Sequence, residues 1–349
     1  MSATKRIEHI DVWRFFAVIL VIQEHFLLFS GLDRYIADIE TYSLQIERFG
    51  EMGVLIFFSI SGFVICNGLN SEKKTTGKIC LSAFCARRFF RIVPPMWLYL
   101  LTLFILNSAD LLKISGEQLL TSAAFLCNLP LTKGCSWYAG HTWSLAYEEQ
   151  FYLLFPLLFI WAWRGNRNGR IFSSIALLTS IALILHYSGK IFWSEYCTYF
   201  LFLLMGCFSA LLPFHWMKRL RNLSLLEWSA ATILLMGLLT FLPNKQDAVF
   251  KMLLYPLLVQ IIVFGTPTHF SKMKTVFHHP QLSYLGRISY SVYLWQELAT
   301  AYYTGVQWWQ TLIYLGLVVG FSALSFRYFE QPCLRLGTSI SNKLKARAI

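Results

Sequence analysis

Three short stretches place ionisable residues among almost wholly apolar neighbours. In RFFAVILVIQEH, Arg14 and His25 are eleven positions apart. On an α-helix eleven steps turn about 1100°, three turns plus about 20°, and rise about 16 Å. The two residues therefore share a helix face. An arginine fork suits phosphate oxygens, and an imidazole deep in an apolar run is a candidate general base or nucleophile. The plainer alternative has Arg14 reaching back to a headgroup on its apolar stem and His25 as a hydrogen-bonded core residue. Glu24 either orients His25 or points elsewhere, since adjacent helix positions do not face each other.

The second stretch, FCARRFFRIVPPMWLYL, carries Arg87, Arg88 and Arg91 ahead of an apolar run. Arg88 and Arg91, three apart, are helical neighbours. Their forks can hold phosphate or act only as a positive anchor at a membrane boundary. The Pro94-Pro95 pair reads as a break that could shape a pocket there. In the third stretch, GCSWYAGHTWSLAYEEQFYLLFP, Glu148 and Glu149 lie among Trp143, Tyr147 and Tyr152. Aromatics beside carboxylates are a usual way to hold a sugar ring, which makes Trp143 and Tyr152 candidate acceptor-binding residues. One of the two acids is then a candidate for proton transfer or acceptor binding. The alternative is helix capping, with Ser144 as the cap and the acids in the first turns. His141 is a further candidate, and as a loop histidine it needs no special role.

The elements that must position these residues are membrane helices. Of 349 residues, 56% are hydrophobic and 14% charged, with a mean hydropathy of +0.52, a balance foreign to soluble domains. Apolar runs near 12–30, 50–69, 92–107, 150–163, 171–187, 196–212, 225–242, 250–265, 288–303 and 308–326 predict an all-α polytopic membrane bundle of about ten spans. The run 119–129 is too short to cross alone. The first run is too long and too charged for a cleavable signal. The net charge of +12 lies in short loops and marks topology, not nucleic acid. Lys5, Arg6, Lys73, Lys74, Lys78, Arg87, Arg88, Arg91 and the basic tail fall on one side; Arg34, Arg48, Lys113, Lys133, Lys190 and Lys245 fall on the other. The richer side is cytoplasmic, which puts both termini there. The eight cysteines show no metal-ligand spacing, and no metal site is expected. Cys127 and Cys135 can pair if the outer side is oxidising. Small residues in FFSISGF, including Gly62, suit close helix packing. One membrane domain fills residues 1–349, without an evident repeat.

These residues together resemble acyltransferase family 3, the bacterial integral membrane O-acyltransferases of surface polysaccharides and lipopolysaccharide. IDVWRFFAVILVIQEH is similar to the family's first-helix pattern of arginine, ten residues, histidine. FFSISGFVI, RRFFRIVPPMW, WSLAYEEQFYLLFP, LGRISYSVYLWQ and FRYFEQP resemble further family stretches in order. The chain departs from the pattern at Val12-Trp13, at Glu24, and at Gln296, where many members have histidine. Some members carry a C-terminal hydrolase-like domain, for which this sequence ends too soon.

The resemblance implies an acyl-CoA donor, most often acetyl-CoA, as substrate, with no permanently bound cofactor. It implies a hydroxyl on a cell-surface glycan or its lipid-linked precursor as acceptor, and the inner (plasma) membrane as location. CoA phosphates would lie on Arg14, Arg87, Arg88 and Arg91, with the thioester near His25. His25 would act as base on the acceptor hydroxyl or attack the thioester itself. Glu148 or Glu149 would orient it or bind the acceptor. Two rival classes are a transporter or flippase of lipid-linked sugars, using the same residues as a path, and a membrane scaffold for glycan assembly.

Overall fold

The computed structural model describes residues 8–29, 42–130, 134–300 and 307–348. Lys5, Arg6, Arg34 and Lys133, used above to sort the loops, lie outside the described residues. Among those described there is helix and no strand. In chain order the helices are α1 (Glu8–Phe29), α2 (Ser43–Thr76), α3 (Leu81–Ser108), α4 (Gly116–Ala123), α5 (Thr142–Trp163), α6 (Arg167–Tyr187), α7 (Ile191–Leu211) and α8 (Phe214–Arg221). They continue as α9 (Leu225–Phe241), α10 (Asn244–Leu253), α11 (Tyr255–Phe264), α12 (Ser271–Phe277), α13 (Pro280–Arg287), α14 (Ser289–Thr300), α15 (Trp308–Ser325) and α16 (Gln331–Ala348).

Each expected apolar run lies mostly on helix; residues 30 and 301–303 lie outside the described residues. Length and composition alone qualify five helices as membrane spans, or seven when the bent pairs α8–α9 (83°) and α10–α11 (53°) each count as one. α1 and α5 have 22 residues each, long enough to cross, but carry Asp11, Arg14 and Glu24 or Glu148 and Glu149. The most apolar window of the segment from α15 to α16 is only 11% buried. Leu317 and Phe321 stand 65% and 45% exposed. Such faces are costly in water and ordinary against lipid. The chain is a multi-pass membrane protein.

Local signals explain several boundaries. Ser115 and Gln118 close a capping box on α4, as Ser224 and Glu227 do on α9, each satisfying two otherwise free backbone donors. α4 stops after eight residues, so the run 119–129 is no crossing helix. α3 passes through Pro94 and Pro95 without ending, contrary to the expected break; the Tyr290 hydroxyl donates to the Ile92 carbonyl at 2.8 Å beside them. α5 begins at Thr142, which places Ser144 inside the helix and not at its cap.

The helices group into two compact units. Unit 1 holds the start of α1, most of α2, the end of α5 and α6 to α13. α2 and α7 approach closely: a Cβ on Gly62 would strike the Leu203 backbone, and one on Gly206 would strike the Ser59 carbonyl. The small residues of FFSISGF therefore serve close packing, as expected.

Unit 2 holds the end of α1, α3, α4, most of α5 and α14 to α16. α16 packs along α3: Arg87 Nη1 donates to Ser341 Oγ, and Gly337 lies against the Phe90 ring. Between α15 and α16 the chain makes a π-helical turn over Phe326–Glu330, which brings Glu330 to a buried position.

Candidate active site

The polar cluster of unit 2 grows from a stripe on α14. Tyr293, Gln296, Glu297 and Thr300 recur at helical spacing on one face, and all four are buried. His25, on the last turns of α1, meets this stripe. Its Nδ1 lies 3.1 Å from Gln296 Oε1 and 3.3 Å from Glu297 Oε2. Gln296 Nε2 donates to the same Glu297 oxygen at 2.9 Å. That bond fixes the amide, because a flipped Gln296 would set its oxygen against the carboxylate. Both groups facing His25 Nδ1 are then acceptors. With acceptors on that side the ring carries its proton on Nδ1, and Nε2 is unprotonated. The Trp137 ring stands 6.1 Å from the imidazole.

His141 joins from the segment just ahead of α5. Its Nδ1 is 3.5 Å from Glu297 Oε2. Its carbonyl receives the Tyr293 hydroxyl at 3.0 Å and the Ser144 hydroxyl at 3.1 Å. The edges of Tyr99 and Tyr293 enclose its ring, with centroids 5.4 and 5.3 Å away. Burial, with a smaller contribution from His25, pushes its pKa down to about 3, so the ring is neutral at ordinary pH. The turn Trp137–Ala139 that carries it is tied down by Tyr99, whose hydroxyl donates to the Tyr138 carbonyl. A Cys127–Cys135 disulfide closes the preceding loop, and Thr142 Oγ1 donates to Cys127 Sγ at 3.0 Å.

The arginines and the α5 acids form a separate group in unit 2. Glu148 Oε2 accepts the Tyr152 hydroxyl at 2.9 Å, one helical turn along. The Arg88 guanidinium stands 5.8 Å from the Tyr152 ring centroid, and Glu148, Glu149, Arg87 and Arg91 all act on it electrostatically. Arg88 Nε and Glu149 Oε1 are buried without a hydrogen-bond partner. Glu330, at the end of the π turn, feels Arg91 electrostatically. Trp143 packs on Tyr147 with ring centroids 5.8 Å apart. Arg14 belongs to unit 1, in the second turn of α1.

The residue beside His25 is thus Glu297, while Glu148 and Glu149 accompany Arg88. Sequence reasoning passed over Glu297. The available signal was an acid inside the apolar run 288–303, the criterion that singled out Arg14 and Glu24. Gln296, read as a departure at a histidine position, turns out to bridge His25 and Glu297. Among the described residues no three His, Cys, Asp or Glu side chains are arranged to hold a metal ion.

Comparison with known proteins adds the chemistry. A family described as an acyltransferase domain matches residues 7–327. The chain is 25% identical over 375 residues to the peptidoglycan O-acetyltransferase OatA of Listeria monocytogenes serovar 1/2a, covering 95% of this chain and 56% of that protein. It is 26% identical to the O-acetyltransferase OatA of Staphylococcus aureus (strain NCTC 8325 / PS 47), covering 82% of this chain and 53% of that protein. The chain spans about half the length of the curated relatives it matches. No solved structure matches it.

Proposed function

Because the chain belongs to the acyltransferase domain family, we propose that it is a membrane O-acyltransferase moving an acetyl group from acetyl-CoA to a hydroxyl of a cell-surface glycan or its lipid-linked precursor. The observation that carries this reading is the pair of acceptors at His25 Nδ1, Gln296 Oε1 and Glu297 Oε2. With Nδ1–H directed at them, Nε2 is the unprotonated nitrogen. It takes the acceptor hydroxyl proton as the oxygen attacks the thioester carbonyl. Collapse of the tetrahedral intermediate breaks the C–S bond, and the imidazolium returns its proton to the leaving thiolate. Glu297 stabilises that imidazolium and holds the ring in place, as an orienting carboxylate does for a catalytic histidine.

In this reading Arg87, Arg88 and Arg91 hold the CoA phosphates, and the Arg88 Nε that lacks a partner is available to them. Glu148, through Tyr152, and Glu149 set the orientation of Arg88. Trp143 and Tyr152 remain the candidate aromatics for the glycan. The bundle crosses an inner (plasma) membrane about ten times with both termini cytoplasmic. The Cys127–Cys135 disulfide supports an outward, oxidising side for the loop ahead of His141.

The test is thiol release from acetyl-CoA by purified protein in nanodiscs, with soluble peptidoglycan fragments as acceptor and mass spectrometry of the glycan. Wild type is expected to acetylate the fragments, and His25→Ala to fall by about 10³-fold or more while staying folded. Normal turnover by His25→Ala sinks the assignment. Absence of acetyl-CoA binding by intact wild type sinks the donor, and sugar-lipid translocation without acyl transfer would favour a transporter.

A further inference from the structure

We propose that His141 is a positioning residue of this site, acting through Glu297: its Nδ1–H holds the carboxylate that in turn holds His25. The proposal rests on the reading of His25 and Glu297 given above and extends it to a second imidazole.

One carboxylate oxygen, Glu297 Oε2, receives Gln296 Nε2 at 2.9 Å, faces His25 Nδ1 at 3.3 Å and faces His141 Nδ1 at 3.5 Å. The two imidazoles thus address the same atom. The His141 side chain is 1% exposed, and neither of its ring nitrogens makes a hydrogen bond. A histidine placed for packing alone ordinarily has its buried nitrogens satisfied. Here a carboxylate oxygen stands 3.5 Å from Nδ1, at the edge of hydrogen-bond reach, and such contacts tighten when a site engages its substrates.

The tautomer follows from the neighbour. A bare Nδ1 beside Oε2 would set lone pair against lone pair, so the proton belongs on Nδ1. The backbone of His141 cannot drift away, because Tyr293 and Ser144 both donate to its carbonyl and Tyr293 sits one turn from Glu297 on α14. A charge on His25 during proton transfer strengthens its hold on Glu297, and the His141 N–H keeps that carboxylate from following His25 out of line. Glu24 on α1 also acts electrostatically on Glu297, as an opposing carboxylate, which gives the second imidazole something to counter.

The experiment is a double-mutant cycle in nanodiscs, measured as kcat and KM for acetyl-CoA with soluble peptidoglycan fragments as acceptor. His141→Leu removes the N–H; His141→Asn keeps an N–H near the Nδ1 position. His141→Leu is expected to lower kcat about 10- to 100-fold with KM within about twofold, the scale at which supporting groups act. His141→Asn is expected to retain kcat within about threefold of wild type. Combined with Glu297→Ala, His141→Leu should cost less than about twofold more, because the group it acts through is gone. Equal losses in both backgrounds, or an Asn variant as poor as Leu, would overturn the proposal.

Melting midpoints of the same four proteins, wild type included, give a readout independent of turnover. Non-additive shifts support the His141–Glu297 contact even if wild type releases no thiol, an outcome that would count against the acyltransferase reading alone. Additive shifts overturn the contact. Where Glu297→Ala is not monodisperse, Glu297→Met replaces it in the cycle.

Discussion

Two clusters of buried polar groups, one in each unit, are matched differently. In unit 1, Arg48 Nη1 donates to the carbonyls of Leu239 and Leu242 at 3.2 and 2.7 Å, and its Nε lies 3.6 Å from Asp247 Oδ2. Asp247 also receives the Tyr255 hydroxyl at 2.6 Å. Lys251 lies 2.6 Å from Glu51, whose other oxygen receives Tyr199 at 2.8 Å. Every charge in that network is answered. In unit 2, His141, Arg88 and Glu149 each keep a buried nitrogen or oxygen with no hydrogen bond. An unanswered buried polar atom costs about 1–3 kcal/mol, so such atoms accumulate where something other than packing keeps them. A matched network specifies a fold; in the function proposed above, the unmatched cluster is where the donor would bind.

The comparison breaks first at Glu297. Glu297→Gln should lower transfer about 100-fold or more by loosening His25, with little change in membrane yield; thiol release at saturating acetyl-CoA checks it. A variant near wild type would put the working carboxylate elsewhere. In the matched network the effect should fall on stability. Lys251→Met leaves the Glu51 carboxylate without its cation, and should cost about 3 kcal/mol of stability with kcat intact. Adding Glu51→Met should recover most of it, as read from melting in detergent. Failure of the second change to rescue would mean the pair is not a matched structural unit.

A third effect is smaller and depends on pH. The folded protein holds the His141 pKa at about 3, below its unfolded value of about 6.5. The native state therefore binds fewer protons than the unfolded chain. Stability from this site is complete above about pH 6.5 and declines as pH falls from there toward 3, by up to about 1.4 kcal/mol per pH unit. Melting between pH 7 and 5 should show this decline in wild type and less of it in His141→Leu. Smallest is the disulfide. Cys127→Ser should lower activity by no more than about tenfold, since Tyr99 still donates to the Tyr138 carbonyl and Thr142 Oγ1 to the Ala139 carbonyl at 2.7 Å, and a loop this short contributes only about 2–3 kcal/mol. A complete loss of transfer would give the disulfide a larger part than packing explains.

Much of this was legible in the sequence. The apolar runs predicted the helices, and Arg14, His25, Arg87, Arg88 and Arg91 stood out because charge is rare in such runs. The small residues in FFSISGF announced a close helix contact, which Gly62 makes against Leu203 and Ser59 against Gly206. What sequence could not supply was the pairing. Glu148 and Glu149 were conspicuous as a doublet flanked by aromatics, yet helical spacing turns Glu148 toward Tyr152 and Arg88. Glu297 was a single acid in an apolar run, and only the register of α14 shows that it shares a face with Gln296 and Thr300. Ser144 had the right chemistry for a cap, but the helix begins two residues earlier, and the hydroxyl serves Tyr293 and His141 instead. Pro94 and Pro95 suggest a break, whereas α3 runs through them.

The π turn at Phe326–Glu330 makes the far end of the chain sensitive to arithmetic. A turn of this kind houses one residue more than an α turn, and each residue advances a helix by about 100°. Deleting a single residue there would let the segment relax to α-helix and swing all of α16 by roughly that angle. Ser341 would leave Arg87, Gly337 would leave Phe90, and Glu330 would rotate off its inward position. Point substitutions along α16 would each disturb one contact; a one-residue deletion at the turn would disturb every one together. The reading frame of this helix, more than any residue in it, is what the α3 arginine segment depends on.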